Sequence, residues 1–190
     1  MNLEHTPSQT CGPYLHIGLT DKGSVMHIAS PGIQGERLLL KCRVLDADGV
    51  PIDDAMIEIW QANAEGTYNH PADSRDPGPG AAFHGFGRAA TDESGNCEFE
   101  TIKPGRVPGP QSSLQAPHLN VLLFGRGILL HLHTRIYFDG DPANEADPVL
   151  RLVPEERRVT LFAHPDPERP GTWHFEFRLR GERETVFFDV

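Results

Sequence analysis

The segment Trp173-His174-Phe175-Glu176-Phe177-Arg178-Leu179-Arg180 alternates apolar and polar residues without a break. Successive side chains of a strand point to opposite faces, so a period of two commits this stretch to a strand with one buried face. Leu38, Leu40, Cys42 and Val44 repeat the pattern, with Lys41 and Arg43 on the other side. The Asp46-Ala47-Asp48-Gly49 turn then leads into Ala55-Met56-Ile57-Glu58-Ile59-Trp60. Further strands are predicted at Gly87–Thr91, Cys97–Ile102, His118–Phe124, Leu129–Phe138 and Thr185–Asp189, with long turn-rich segments between them at Pro71–Ala82 and Gly105–Gln111. One short helix is predicted near Pro154–Arg158, with Pro in its first turn. The reading is all-β, a sandwich of mostly antiparallel strands with ligand-bearing loops gathered at one end. Residues 1–35 lack clean alternation and read as an extended N-terminal arm packing on a partner, with 36–190 forming the single sandwich domain.

A chain of 190 residues is long enough for one well-cored domain. No apolar run approaches membrane-spanning length, and Met1-Asn2-Leu3-Glu4-His5-Thr6 lacks the basic and apolar regions of a signal peptide. Cys11, Cys42 and Cys97 are odd in number and not in a C-x-x-C spacing, which argues against a disulfide framework or a structural zinc site. A cytoplasmic protein is the expectation. The formal charge of −10 disfavours nucleic acid as a partner. It also means that an anionic ligand requires a locally placed arginine.

Three landmarks carry chemistry: Trp60-Gln61-Ala62-Asn63-Ala64-Glu65-Gly66-Thr67-Tyr68, Thr101-Ile102-Lys103-Pro104-Gly105-Arg106-Val107 and Pro117-His118-Leu119-Asn120. Tyr68 and His118 are possible metal donors, and in the bland reading they are a packed loop tyrosine and a satisfied polar residue at a strand start. His131-Leu132-His133 places two imidazoles on one face of a strand, shared with Arg135 and Tyr137. That pair reads as structural or as an interface rather than as a metal site.

The landmarks resemble the intradiol ring-cleavage dioxygenases. In iron-bearing members the first ends in a ligand Tyr, the second reads T-I-K-P-G-x-Y, and the third holds a His-x-His pair. The slots then fall on Tyr68, Val107, His118 and Asn120, so two of the four ligands are missing. An Arg expected three residues before the first His is Gln115. The Y-F-x-G-D segment Tyr137-Phe138-Asp139-Gly140-Asp141 fixes the same register from the other side.

Thr6–Tyr14, Phe124-Gly125-Arg126-Gly127 and Gly181–Asp189 narrow the resemblance to the α chains of two-chain members that cleave protocatechuate. It implies a homologous β chain holding non-haem Fe(III), a higher αβ oligomer, and O₂-dependent ring opening to 3-carboxy-cis,cis-muconate. No catalytic residue or metal ligand is then expected in this chain alone, which is expected to be inactive in isolation. Its contribution is the outer wall of the partner's pocket. Arg126, freed of neighbouring side chains by Gly125 and Gly127, is the candidate for the substrate carboxylate. Thr10, Gly12, Pro13 and Tyr14 are candidates in the arm. The alternatives are a self-sufficient intradiol enzyme recruiting His131 or His133, and a β-sandwich binding module without catalysis.

Overall fold

The computed structural model describes residues 5–76 and 78–189. Expectations for residues 1–4 lie outside the described residues. The strands are β1 (Arg37–Leu45), β2 (Met56–Trp60), β3 (Phe86–Ala90), β4 (Asn96–Ile102), β5 (Val107–Pro108), β6 (Leu114–Gln115), β7 (His118–Phe124), β8 (Leu132–Phe138), β9 (Phe162–Pro165) and β10 (Thr172–Arg178). Eight of them form one mixed sheet in the order β3-β2-β7-β8-β9-β10-β1-β4, and β5 and β6 make a separate small ribbon.

The all-β expectation holds, but two separate antiparallel sheets do not form. β8–β9 and β10–β1 pair in parallel, and β9 bridges the two halves into a continuous ladder. The end strands β3 and β4 come into contact, so the sheet nearly closes on itself. β9 has too few residues to show a period, which is why alternation did not reveal it.

Inside this curved sheet lies one apolar core. β1 contributes Leu38, Leu40, Cys42 and Val44, and β10 contributes Phe175 and Phe177. Ile57, Ile59, Leu119, Val121, Leu123, Ile136 and Phe138 face them from β2, β7 and β8. The alternation read from the sequence is therefore the core face. Asp46 Oδ1 accepts the N–H groups of Asp48 and Val50 at 2.9 and 2.8 Å, closing the turn after β1. A second, smaller cluster of Ala116, Tyr137, Leu150, Val153 and Leu161 packs behind β8.

Three local expectations need correction. Thr185–Asp189 is not a strand: it pairs with the sheet through an isolated bridge between Phe188 and His133, and is otherwise held by hydrogen bonds such as those from the Thr134 hydroxyl to Val186 O at 2.7 Å and from Arg178 N to the Thr185 hydroxyl at 3.0 Å. The strand expected from Leu129 begins only at Leu132, leaving His131 before it. The arm contains a helix, α1 (Pro13–Leu19), for which Gly12 is the extended N-cap and Pro13 the first residue. The later part of the arm joins the domain, since Val25 and His27 bridge to Arg88 and Glu100 and Ile28 and Ala29 enter the core. The expected second helix forms as α2 (Glu155–Arg158). Among the described residues no helix is long and apolar enough to cross a membrane.

Candidate functional site

Two of the landmarks are tied together by side-chain and backbone hydrogen bonds. The buried Gln61 donates to Ile102 O at 2.9 Å and accepts the Thr101 hydroxyl at 2.8 Å. Asn63 Oδ1 accepts the N–H groups of Glu65 and Thr67, while Gly105 N donates to Asn63 O at 2.8 Å. Gly66 sits at φ 79° with Arg106 O only 1.9 Å from where a Cβ would stand, so no other residue fits there. The loop that ends at Tyr68 is thereby clamped to the segment that ends at Val107.

The third landmark supplies the floor. On β7, Asn120 pairs with Trp60 of β2 and Arg135 of β8, and His118 pairs with Tyr137. Trp60 and Tyr68 stack with centroids 5.9 Å apart and planes 12° from parallel. The result is a cleft of about 500 Å³ lined by Tyr68, Val107, Gln115, His118, Asn120 and Arg135, among others. All four slots and the Gln115 position thus meet in one place.

Their chemistry does not suit a ferric ion. Val107 offers no donor atom. Asn120 turns its amide nitrogen to Tyr68 Oη at 3.3 Å and to Trp60 O at 3.4 Å. Burial raises the Tyr68 hydroxyl above its ordinary pKa, against the lowering effects of Asn120 and Arg135, so it stays a neutral phenol. His118 donates Nδ1–H to Ala116 O at 2.8 Å, and its pKa is pushed down to about 4, first by burial and then by the Arg135 charge. The Arg135 guanidinium therefore acts electrostatically on both surviving donors. Iron needs anionic oxygen donors and a full ligand set. No group of three His, Cys, Asp or Glu residues suited to a metal ion occurs among the described residues.

His131 and His133 do not repair the deficit. Their Nε2 atoms lie 2.7 Å apart, one ring donating to the other. His133 pairs with Leu122, two positions along β7 from Asn120, and lies outside the cleft lining. Its pKa is lowered by burial and by His131. His133 does lie on the face shared with Arg135 and Tyr137, whereas His131 precedes the strand.

Arg126 stands elsewhere. β7 runs from His118 in the cleft to Phe124, a span of about 20 Å for seven strand residues. Arg126 follows that far end, its side chain 75% exposed and its Nε 2.9 Å from Asp54 Oδ2. Gly127 N donates to Thr10 Oγ1 at 2.6 Å, which brings the arm to the same turn. Tyr14, on α1, is 87% exposed. Gly12, Pro13 and Tyr14 follow Thr10 in the chain at the start of α1.

The sequence reading placed Arg135 on the histidine face and missed its role in the cleft. Its place opposite Asn120 follows from the β7–β8 register, which the sequence alone does not show.

The Dioxygenase family profile matches residues 10–181. The chain belongs to the intradiol ring-cleavage dioxygenase family. It is 46% identical to the protocatechuate 3,4-dioxygenase alpha chain of Burkholderia cepacia, covering 99% of this chain and 98% of that one. The protocatechuate 3,4-dioxygenase beta chain of the same organism is 38% identical, over 80% of this chain and 67% of its own length. The crystal structure of 3-chlorocatechol 1,2-dioxygenase from Rhodococcus opacus shares the fold, with a TM-score of 0.65 at 22% identity over 92% of this chain and 71% of that one. Family membership removes the reading of an unrelated binding module.

Proposed function

We propose that this chain is the iron-free α subunit of a protocatechuate 3,4-dioxygenase. A homologous β subunit holds the Fe(III), and αβ pairs assemble into a higher oligomer in the cytoplasm. The assembled enzyme adds both atoms of O₂ to 3,4-dihydroxybenzoate and opens the ring between the hydroxyl-bearing carbons, giving 3-carboxy-cis,cis-muconate. The bound iron supplies the activation of substrate and O₂.

The observation that carries this reading is the contrast between scaffold and donors. The clamp from Gln61 to Thr101 and from Gly66 to Arg106 is intact, yet Val107 and Asn120 leave the cleft without two ligands. Near-full-length similarity to an alpha chain supports it further. In this reading the arm packs on the partner through its first part, consistent with α1 having no buried residue, while Ile28 and Ala29 belong to this chain's own core. Arg126 lies too far from this chain's own cleft to serve it, and its exposed guanidinium is suited to the substrate carboxylate in the partner's pocket. Thr10, Gly12, Pro13 and Tyr14 line the same wall.

Separating the two chains of the purified complex and measuring iron in each tests the assignment. Iron should remain with the β chain. Stoichiometric iron in this chain would sink the proposal.

A further inference from the structure

Arg135 is a half-buried cation in the cleft with no acidic partner within ion-pair distance among the described residues. Both of its hydrogen bonds leave from Nη1, to Gln115 Oε1 at 2.7 Å and Tyr137 Oη at 3.2 Å, and both acceptors are neutral. Asp147 lies behind the Tyr137 hydroxyl, and its oxygens already accept three backbone N–H groups. The other charges of the lining cancel, because Arg75 forks onto Asp73 at 2.9 and 2.6 Å. The residues lining the cleft therefore carry a net positive charge, with the nearest carboxylate, Asp147, held behind the Tyr137 hydroxyl, in a chain whose formal charge is −10. A buried or partly buried charge without a counter-ion is costly, and a bound anion removes that cost.

The walls specify the rest of the ligand. Trp60 and Tyr68 present a stacked aromatic edge, and Val107 with Pro108 adds an apolar side. A cleft of about 500 Å³ is in the range that encloses a small molecule. One guanidinium suits a monoanion with a planar two-oxygen head better than a phosphate dianion, which calls for more cationic groups. We propose that this cleft is a binding site for a planar aromatic carboxylate. Its carboxylate pairs with Arg135 and its ring lies against Trp60 and Tyr68. No metal is involved, and the inference stands whether or not the subunit assignment is correct.

The test is a titration of the full chain with sodium benzoate at low ionic strength, followed by tryptophan emission. Benzoate should give saturable quenching. Benzamide, of the same shape but uncharged, should bind at least about 10-fold more weakly, and Arg135→Gln should weaken benzoate roughly 10- to 100-fold. Trp60→Phe should abolish the signal, leaving Trp173 unresponsive. Absence of saturation, equal binding of benzamide, or a signal retained in Trp60→Phe would overturn the proposal. If Arg135→Gln does not fold, the benzoate and benzamide comparison decides the matter on the unaltered chain.

Discussion

The hydroxyl of Thr10 accepts a hydrogen bond from the backbone N–H of Gly127 at 2.6 Å, joining two segments 117 residues apart in the chain. Thr10 belongs to the arm, and Gly127 closes the turn that presents Arg126. At φ 86° Gly127 adopts a conformation that side chains disfavour. The two elements assigned to the partner's pocket are thus one surface, remote from the chain's own cleft.

That surface gives the first prediction. In the assembled enzyme, Arg126→Ala should lower kcat/KM for protocatechuate by roughly 10- to 100-fold, the value of a charge-assisted pair. Activity on unsubstituted catechol, which has no carboxylate, should change little. Steady-state kinetics with both substrates checks this, and equal losses would remove Arg126 from substrate recognition.

His118 makes stability depend on pH. Its folded pKa is pushed down to about 4, whereas an unfolded histidine titrates near ~6.5. Between those values the unfolded chain binds more protons, so its stabilising contribution is complete above about pH 6.5 and is lost as the pH falls toward 4. The full effect is on the order of 3 kcal/mol. Urea unfolding at pH 7 and pH 5 should show a steeper loss for the wild-type chain than for His118→Asn. Parallel losses would contradict the assignment.

Asp147 is a structural anchor for the cleft. It is fully buried and accepts from Ala116 N at 2.7 Å, Leu150 N at 2.8 Å, Val149 N at 2.9 Å and Tyr137 Oη at 3.2 Å. Asp147→Ala should cost about 3–5 kcal/mol, because several buried donors lose their acceptor together. Asp147→Asn keeps one oxygen and should cost roughly half as much. Denaturant midpoints of the two variants give the comparison.

Much of this fold was legible because its strands are half-buried. The inward residues of β1 and β10 alternate with charged ones, and period two is visible without structure. β9 and α1 were not legible: one is short, and the other buries no residue from which a helical face is read. The ligand slots were legible because they follow fixed offsets from two motifs. Arg135 was not, because its place beside Gln115 and Tyr137 depends on strand register and on where the β5–β6 ribbon brings Gln115. Proximity to a surviving ligand is a tertiary fact.

The charge of Arg135 bears on any attempt to rebuild the site. Val107→Tyr with Asn120→His restores the donor types, but a guanidinium still acts on Tyr68 and His118. The double variant should bind Fe(III) weakly, and adding Arg135→Leu should strengthen binding by at least roughly 10-fold, since a fixed cation opposes a metal ion. Metal titration followed by tyrosinate charge-transfer absorbance reads this directly. No gain from the third substitution would show that neighbouring groups have changed as well.

The proposed subunit role requires that this chain complete a partner's iron site while holding none of its own. Oxygen uptake with protocatechuate, measured for the purified chain alone and for the chain co-purified with its iron-bearing partner, tests it most directly. Ring cleavage is expected only in the complex. Turnover by the isolated chain, supplied with iron or not, would contradict that role.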